Sequence, residues 1–546
     1  MFSPLHSLLE LYDDGVPTKI KSKVIRDPIH GYIKTTLLER AVIDDPIFQR
    51  LRRLHQLQTA YHIYPGAEHS RFQHCIGVMH LSGKFLIGLL KRTHELAGKE
   101  RENIRIPDIE ELGFEDEKDL ISALLAVRLG GLLHDIGHGP YSHAFDEAVI
   151  SKSDVLRKKG IQSHEDVGYY IFKNYLSEII IEEGRKLESL INIDLLLEYL
   201  DAILVSRKAF FEELGKLRRD KPIVDILRRI IREFVYPSDI LDFVMRDSYF
   251  TGVREYGMVD VARLINYSII YSAPAEGEFS PSLEIGLLDT AINALRAFLM
   301  SRFWLFNNVY YHRTSRIIDF TVQRLLRSLY VEGVIDFEGI ILKIIEEGDV
   351  SGYVLLDDYY VLYEALRYGG RPRELAKRIL NRKPEYVEIY DKEFIVKRRD
   401  EQKEKKTIKY DVSFGDILTE ILRRVVKIIS SFGIPIDEED VKIDSPMIRF
   451  FPDNPYLPRK SFNIVKIRRD KLIDKYNLTV TDIGIAIDTS LFRIFMKRGL
   501  ENKINIPLDE LRMRIAKEIE KDDLLIKAEM AFQHEIEKTK EIGVTM

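Results

Sequence analysis

The sequence predicts a mainly α-helical protein with a smaller α+β domain towards its C-terminal end. Three observations carry that expectation. Apolar residues recur at helical spacing through most of the chain from Asp45 to about residue 382, as in PIFQRLRRLHQLQ, where Phe48, Leu51, Leu54 and Leu57 fall three apart. Strand-like texture is scarce there and enters later, in YVEIYDKEFIVK (386–397), IVKI (464–467) and IGIAI (483–487). A chain of 546 residues also exceeds the usual size of one hydrophobic core, so more than one domain is expected.

In chain order, KVIRDPIHGYIKT (23–35) sets a Pro and a Gly between β-branched runs, the pattern of a short hairpin or irregular arm. After the loop YPGAEHS, Ser70 stands where it could cap the helix RFQHCIGVMHLSGKFLIGLLKRTHEL. A second long apolar helix over 117–135 ends in GGLLHDIGHGPYSH, whose glycines and proline break the regularity. Helical patterns follow over 164–182, 192–215 and 222–234, and Tyr236-Pro237-Ser238 marks the start of another, DILDFVMRDSYF. One more helix is expected over 287–329 and others to about 382. A boundary near residue 375 then separates a domain over 1–375 from one over 376–546. The second begins with a hairpin-like alternation (386–397) and a charged, exposed run, KRRDEQKEKKTIK (397–409), with helices near 414–430 and 507–521.

Composition narrows the function classes. With 45% apolar and 31% charged residues the chain is an ordinary globular one. A net charge of −5 leaves no global field to recruit nucleic acid. The single cysteine, Cys75, excludes an internal disulfide framework and a thiolate zinc site. The start, MFSPLHSLLELYDD, lacks the basic region and long apolar run of a signal peptide, and no apolar stretch approaches the roughly 20 residues of a membrane helix. The expectation is a cytoplasmic protein with no membrane partner.

The chemistry concentrates at His134 and Asp135, at the polar end of a helix that is apolar from Leu124 to Leu133. Neighbouring side chains diverge by about 100° along a helix, so both reach one ion only beside the helix end. Gly137 and Gly139 permit that approach. Imidazole with carboxylate suits one divalent ion such as Mn, Fe, Co, Zn or Mg, although the dipeptide alone reads far more readily as chance or helix capping. Arg71 and His74 lie three apart on one helix face, an arrangement suited to a phosphate shared between a guanidinium and a metal. Asp239, Asp242, Arg246 and Asp247 crowd one later helix among Leu241, Phe243, Val244 and Met245. They read equally as an inward polar set or as a surface salt-bridge network.

At these residues the chain resembles the HD-domain superfamily, with its H…HD…D signature. DPIHGYI, FQRLRRLHQL, YPGAEHSRFQHCIGV, LLHDIGHGPYSHAFD and DILDFVMRDSYFTG are similar, in order and spacing, to the deoxynucleoside triphosphate triphosphohydrolases of that superfamily. The resemblance covers about 23–375 well and implies an HD-domain helical catalytic core with an oligomerisation or regulatory domain behind it. It implies His74, His134, Asp135 and Asp239 as metal ligands. His143 would be the catalytic histidine, with Asp146 and His164 assisting and His138 contacting phosphate. Arg71, Gln56, Asp247, Arg302 and Tyr310 would bind the substrate's phosphates and sugar. The departures are Ile240 and Phe243, where the family often has lysine and tyrosine, and Phe306, where some members have histidine.

In regulated members of that family a guanine nucleotide sits between subunits. The matching residues are Lys23, Asp44, Gln49 and Arg52, so GTP or dGTP is an implied effector and a homotetramer or dimer the implied assembly. Without the resemblance, DPIFQRLRRL is an ordinary amphipathic helix with charged exposed positions. Two other readings stand beside dNTP hydrolysis. One is HD phosphohydrolase activity on nucleotide monophosphates, cyclic nucleotides or alarmones. The other is nucleic-acid binding or nuclease activity using KRRDEQKEKK, whose mixed sign favours a solvated linker.

Overall fold

The computed structural model describes residues 12–101, 104–206, 220–273, 282–396, 414–448, 461–468, 471–479 and 488–521, with positions 217 and 527. The hairpin expected over 23–35 is present: strands β1 (Ser22–Asp27) and β2 (Gly31–Thr36) pair antiparallel, with Gly31 closing the turn at φ 75°. Helix α1 (Leu37–Asp44) follows, capped at Thr36 by a reciprocal bond with Glu39. Asp45 caps the short α2 (Pro46–Gln49), which runs on as a 3-10 turn to Arg53.

The long helix α3 (Arg71–Glu95) is buried on almost every side, from Phe72 and Cys75 to Leu89 and Leu90. A helix apolar all round belongs in the middle of a bundle. It starts after Ser70 as expected, but the Ser70 side chain makes no capping bond. Helix α4 (Glu117–Leu133) lies against it and is as deeply buried; the C-terminus of α4 brings His134 to the centre. The remaining helices that shape the centre are α5 (His143–Ala148), α6 (His164–Ile171), α7 (Ile193–Leu204), α8 (Ile223–Ile231) and α9 (Ser238–Thr251). The expected helix over 192–215 ends at Leu204, and 207–215 lies outside the described residues.

The helix expected over 287–329 needs correction. Strands β3 (Ser268–Ala273) and β4 (Ser282–Leu288) pair antiparallel, and the helical region after them is two helices, α10 (Ile292–Leu305) and α11 (Arg313–Val331). A π-helical turn over Phe306–Tyr310 interrupts them. Short apolar runs such as SIIY do not distinguish strand from helix by period, which is why the sequence hid these strands. Helix α12 (Asp358–Tyr368) is capped by Asp357.

The segment 386–397 also differs from expectation. It is one continuous strand, β5 (Tyr386–Val396), because its alternation serves a partner about a hundred residues away rather than a local turn. After helix α13 (Phe414–Ser430) and strand β6 (Val441–Asp444), strand β7 (Ser461–Arg468) covers the expected IVKI and pairs with β8 (Lys471–Thr479). Strand β9 (Asp488–Lys497) pairs with both β5 and β6, and helix α14 (Leu508–Ile519) follows. The runs 397–409 and 483–487 lie outside the described residues.

The chain divides into two units. The first comprises Met1–Tyr310, Val322–Lys377 and Phe451–Ile483. It holds the helical bundle and a sheet in which β8, β7, β4 and β3 lie in that order, with β7 parallel to β4. The second comprises Tyr311–Thr321, Arg378–Phe450 and Gly484–Met546. There α13 and α14 pack Ile417, Ile421, Val425, Leu511 and Ile515 against Ile389, Phe492 and Ile494 of β5 and β9.

Candidate metal and catalytic centre

Three elements of the first unit bring the HD residues together. α3 contributes Arg71 and His74 from one face, the end of α4 contributes His134 and Asp135, and the first turn of α9 contributes Asp239. His74, His134 and Asp239 each offer one donor atom within 4.8 Å of the others. His74 Nε2 lies 3.1 Å from Asp239 Oδ1, and His134 Nε2 lies 3.7 Å from it. Asp135 stands beside them, with Oδ1 3.4 Å from His134 Nε2 and Oδ2 3.9 Å from His74 Nε2.

These spacings fit one divalent ion. Donors about 2.0–2.2 Å from a common ion stand roughly 3–3.5 Å apart. The unused ring nitrogens are tied back: His74 Nδ1 donates to Asp242 Oδ2 at 2.8 Å, and His134 Nδ1 donates to the Gly131 carbonyl at 2.8 Å. Such bonds fix the tautomer that turns Nε2 to a metal. His134 Nε2 is buried with no hydrogen-bond partner. Burial would lower the His74 pKa, but hydrogen bonds to Asp239 and Asp242 push it up to about 10. His134 is raised too, by Asp135 and Asp239 acting against burial. Burial would raise Asp239, yet the two histidines bring it down to about 2. A pocket that favours positive charge on two buried imidazoles is one that stabilises a cation.

A second group adjoins the first. His138, His143, Asp146 and His164 also hold donor atoms within 4.8 Å of one another. Asp135 joins the two groups, since its Oδ1 is 3.4 Å from His138 Nε2 as well. His164 Nδ1 donates to Asp146 Oδ2 at 2.5 Å, while His143 Nδ1 lies 3.7 Å from the same oxygen. The rings of His138 and His164 stack at 3.5 Å. Burial would raise the Asp146 carboxyl, but the neighbouring His143 and His164 imidazoles hold it well below its usual range. Burial first, and then the neighbouring Arg71 guanidinium, push the His138 imidazole well below its ordinary pKa. His143, 62% exposed, is the ring of this group most open to a ligand.

The backbone of the GPYSH turn is unusual. Tyr141 and Ser142 carry φ of 56° and 54°, each a strain of about 1–3 kcal/mol for a side chain of this size. Ser142 Oγ accepts from Arg71 Nε at 2.8 Å, and the Arg71 guanidinium also pairs with Asp135. Gly137 packs main chain to main chain against α6. A Cβ there would stand 2.1 Å from the His164 carbonyl oxygen and 2.3 Å from the Gly168 nitrogen.

Of the residues expected to hold substrate, Asp247 and Tyr310 meet: the Tyr310 hydroxyl donates to Asp247 Oδ2 at 2.7 Å, and His69 Nε2 donates to the other oxygen at 2.8 Å. Burial raises the Tyr310 phenol first, then Asp247; Arg302 opposes and Asp239 adds, so these groups share one field. The Arg302 guanidinium lies 4.5 Å from the Phe306 ring. Gln56 is half-buried, and its backbone N–H donates to the His69 carbonyl at 3.0 Å. Phe243 packs edge-on to Tyr310 at 5.9 Å, and Ile240 is half-buried.

Of the residues expected to read an effector, Lys23, Asp44 and Arg52 are exposed and Gln49 is half-buried. Gln49 Oε1 accepts from Arg52 Nε at 2.7 Å, Arg52 lies 3.5 Å over the Phe72 ring, and the charge of Asp44 acts on Arg52. Asp44 is exposed beside Arg40, and Lys23 is exposed on β1.

Asp242 was visible in the sequence only as one of a crowded polar set. It is fully buried and accepts from His74, from His30 Nε2 at 2.6 Å and from Arg246, which also pairs with Asp27. The usable signal was Gly77, a glycine inside a long helix, three residues after His74. A Cβ at Gly77 would stand 2.0 Å from Asp242 Oδ1.

The first unit carries an HD domain. Residues 71–203 match the family model described as HD domain, a span that holds every residue of the two groups except Asp239. Among curated relatives, the chain is 28% identical over 301 residues to deoxynucleoside triphosphate triphosphohydrolase SAMHD1 of Bos taurus, covering 54% of this chain and 46% of that protein. It is 28% identical over 334 residues to the Homo sapiens protein of the same name, covering 58% and 45%. The chain spans about half the length of these relatives. It is 24% identical over 489 residues to an uncharacterized protein of Methanocaldococcus jannaschii, covering 87% of this chain and 88% of that one. A crystal structure of a hypothetical protein from Aquifex aeolicus superposes with a TM-score of 0.60 at 22% identity, over 91% of this chain and 100% of that one, and shares its fold. No helix among the described residues is long and apolar enough to cross a membrane.

Proposed function

We propose that this protein is a metal-dependent phosphohydrolase that converts deoxynucleoside triphosphates and water to deoxynucleosides and inorganic triphosphate. The observation that carries the reading is Asp135, whose Oδ1 lies 3.4 Å from both His134 Nε2 and His138 Nε2, joining a metal-sized donor set to a histidine relay. The names of the curated relatives support the substrate class.

His74, His134, Asp135 and Asp239 would hold the ion. When bound, a divalent ion supplies Lewis acidity and a water of lowered pKa. Arg71 binds the α-phosphate, and Arg302 the far end of the triphosphate, where a fixed guanidinium stabilises developing charge. The bond between the α-phosphorus and the 5′ oxygen breaks, and His143 delivers the proton that the departing oxygen takes up. Asp146 and His164 hold that imidazole in place, and His138 lines the phosphate. Asp247, Tyr310 and Gln56 receive the sugar.

The rest of the proposal follows the same relatives. Asp44, Gln49 and Arg52 offer a carboxylate and a guanidinium to the edge of a guanine, with Lys23 for phosphate, so GTP or dGTP would act as effector in a cytoplasmic homotetramer or dimer. The domain behind residue 375 would serve assembly or regulation. One observation favours a second reading: Ile240 and Phe243 bring no ammonium and no hydroxyl to the substrate, which suits a smaller phosphate ester.

The test is direct. Purified protein is incubated with each dNTP and Mn or Mg, with and without GTP, and the products are resolved. Inorganic triphosphate with deoxynucleoside is expected. Release of single phosphates, or no turnover under any effector, overturns the reading.

A further inference from the structure

The turn that carries His138 and leads into His143 at the start of α5 has no regular structure of its own, yet its main chain is gripped from behind at four places between residues 136 and 141. Arg50 Nη2 donates to the carbonyls of Ile136 at 3.0 Å and His138 at 2.7 Å. The Tyr353 hydroxyl donates to the Gly137 carbonyl between them at 2.6 Å. The Tyr141 N–H donates to Asp358 Oδ1 at 2.6 Å, at the first of the two residues with positive φ. The gripping side chains are themselves held in place. Arg50 Nη1 donates to the Leu356 carbonyl at 2.9 Å, and its guanidinium lies 4.3 Å from the Tyr353 ring. Asp358 Oδ2 accepts from the His55 backbone N–H at 2.9 Å and from His55 Nδ1 at 2.8 Å.

All three groups are buried, with Arg50 and Tyr353 fully enclosed. A buried guanidinium is costly unless its donors are satisfied, and this one spends them on carbonyl oxygens while its Nε has no hydrogen-bond partner. For packing alone, an apolar side chain of similar volume would do as well. What Arg50 does that an apolar residue cannot is hold two carbonyls of one turn at a fixed spacing. Strained dihedrals at Tyr141 and Ser142 likewise persist only where the surroundings over-determine them.

We propose that Arg50, Tyr353 and Asp358 are positioning residues that hold the main chain of 136–141 so that His138 and His143 stand where the reaction needs them. This rests on the hydrolase reading above. None of the three is placed to touch substrate; they act through the backbone of the turn.

Arg50→Ala risks unfolding the protein, so Tyr353→Phe, which removes one hydroxyl and nothing else, carries the test. In the full-length protein, kcat is expected to fall about ten- to a hundredfold with KM within twofold of wild type. Bound metal per chain and melting temperature should stay near wild type. Amide exchange in a peptide covering 134–143 should speed up while the peptide covering 117–133 is unchanged. Unchanged kcat overturns the proposal, and so does a kcat loss without faster exchange in the turn. If the wild type turns over no nucleotide, the hydrolase reading fails separately, and exchange alone then decides whether Tyr353 holds the turn.

Discussion

His74 Nδ1 and Asp242 Oδ2 are 2.8 Å apart in the interior, on the side of the imidazole opposite the donor set. Asp242→Asn should therefore weaken divalent-metal affinity about 10- to 100-fold by freeing the His74 tautomer. Chelator competition measures it, and an unchanged dissociation constant would count against the role. Asp242→Ala should be harsher, at about 3–5 kcal/mol of stability, because it strips the buried Arg246 of one of its two carboxylates.

Asp135 touches both donor groups and Arg71. Asp135→Ala should lose bound metal and turnover while keeping its helical circular dichroism. A variant that retains one metal per chain would remove Asp135 from the ligand set.

The pH dependence of stability should include a slope from His55. Burial would lower its pKa, but bonds to Asp358 and Glu68 raise it above the ordinary value. A group raised on folding contributes in full below its unfolded pKa, about 6.5, and loses that contribution as pH climbs through the folded one. Melting temperatures from pH 6 to 9 should fall less steeply in His55→Gln than in the wild type. Parallel curves would show that the pair is uncoupled from folding.

Ile240→Lys with Phe243→Tyr would return an ammonium and a hydroxyl beside Asp239. Each charge-assisted bond to phosphate is worth about 1.5–3 kcal/mol. The KM for dNTPs should drop by about tenfold or more. A KM that does not move would place the triphosphate elsewhere.

Gly77→Ala puts a methyl into Asp242 and Arg246. Overpacking of this kind costs about 1–3 kcal/mol, read as a shift in denaturant midpoint. No shift would mean that α3 and α9 can part without loss.

Local pattern made much of this molecule legible. The 23–35 hairpin and helices α3, α4 and α9 announce themselves through a turn pair or an apolar period. Arg71 and His74 share a face because helical spacing demands it. What stayed hidden depends on distant partners. β5 reads as a hairpin until β9 is known to be its partner. Asp242 reads as one carboxylate among several until α3 lies against α9. Asp358 sits in an unremarkable helix start, and only the folded chain brings it to Tyr141, 217 positions away.

Gly137 and Gly168 meet through their main chains, with no side chain between the catalytic turn and α6. The spacing of His138 from His164 is thus set by two backbones in contact. A larger residue at position 137 would force the turn and α6 apart in a single step.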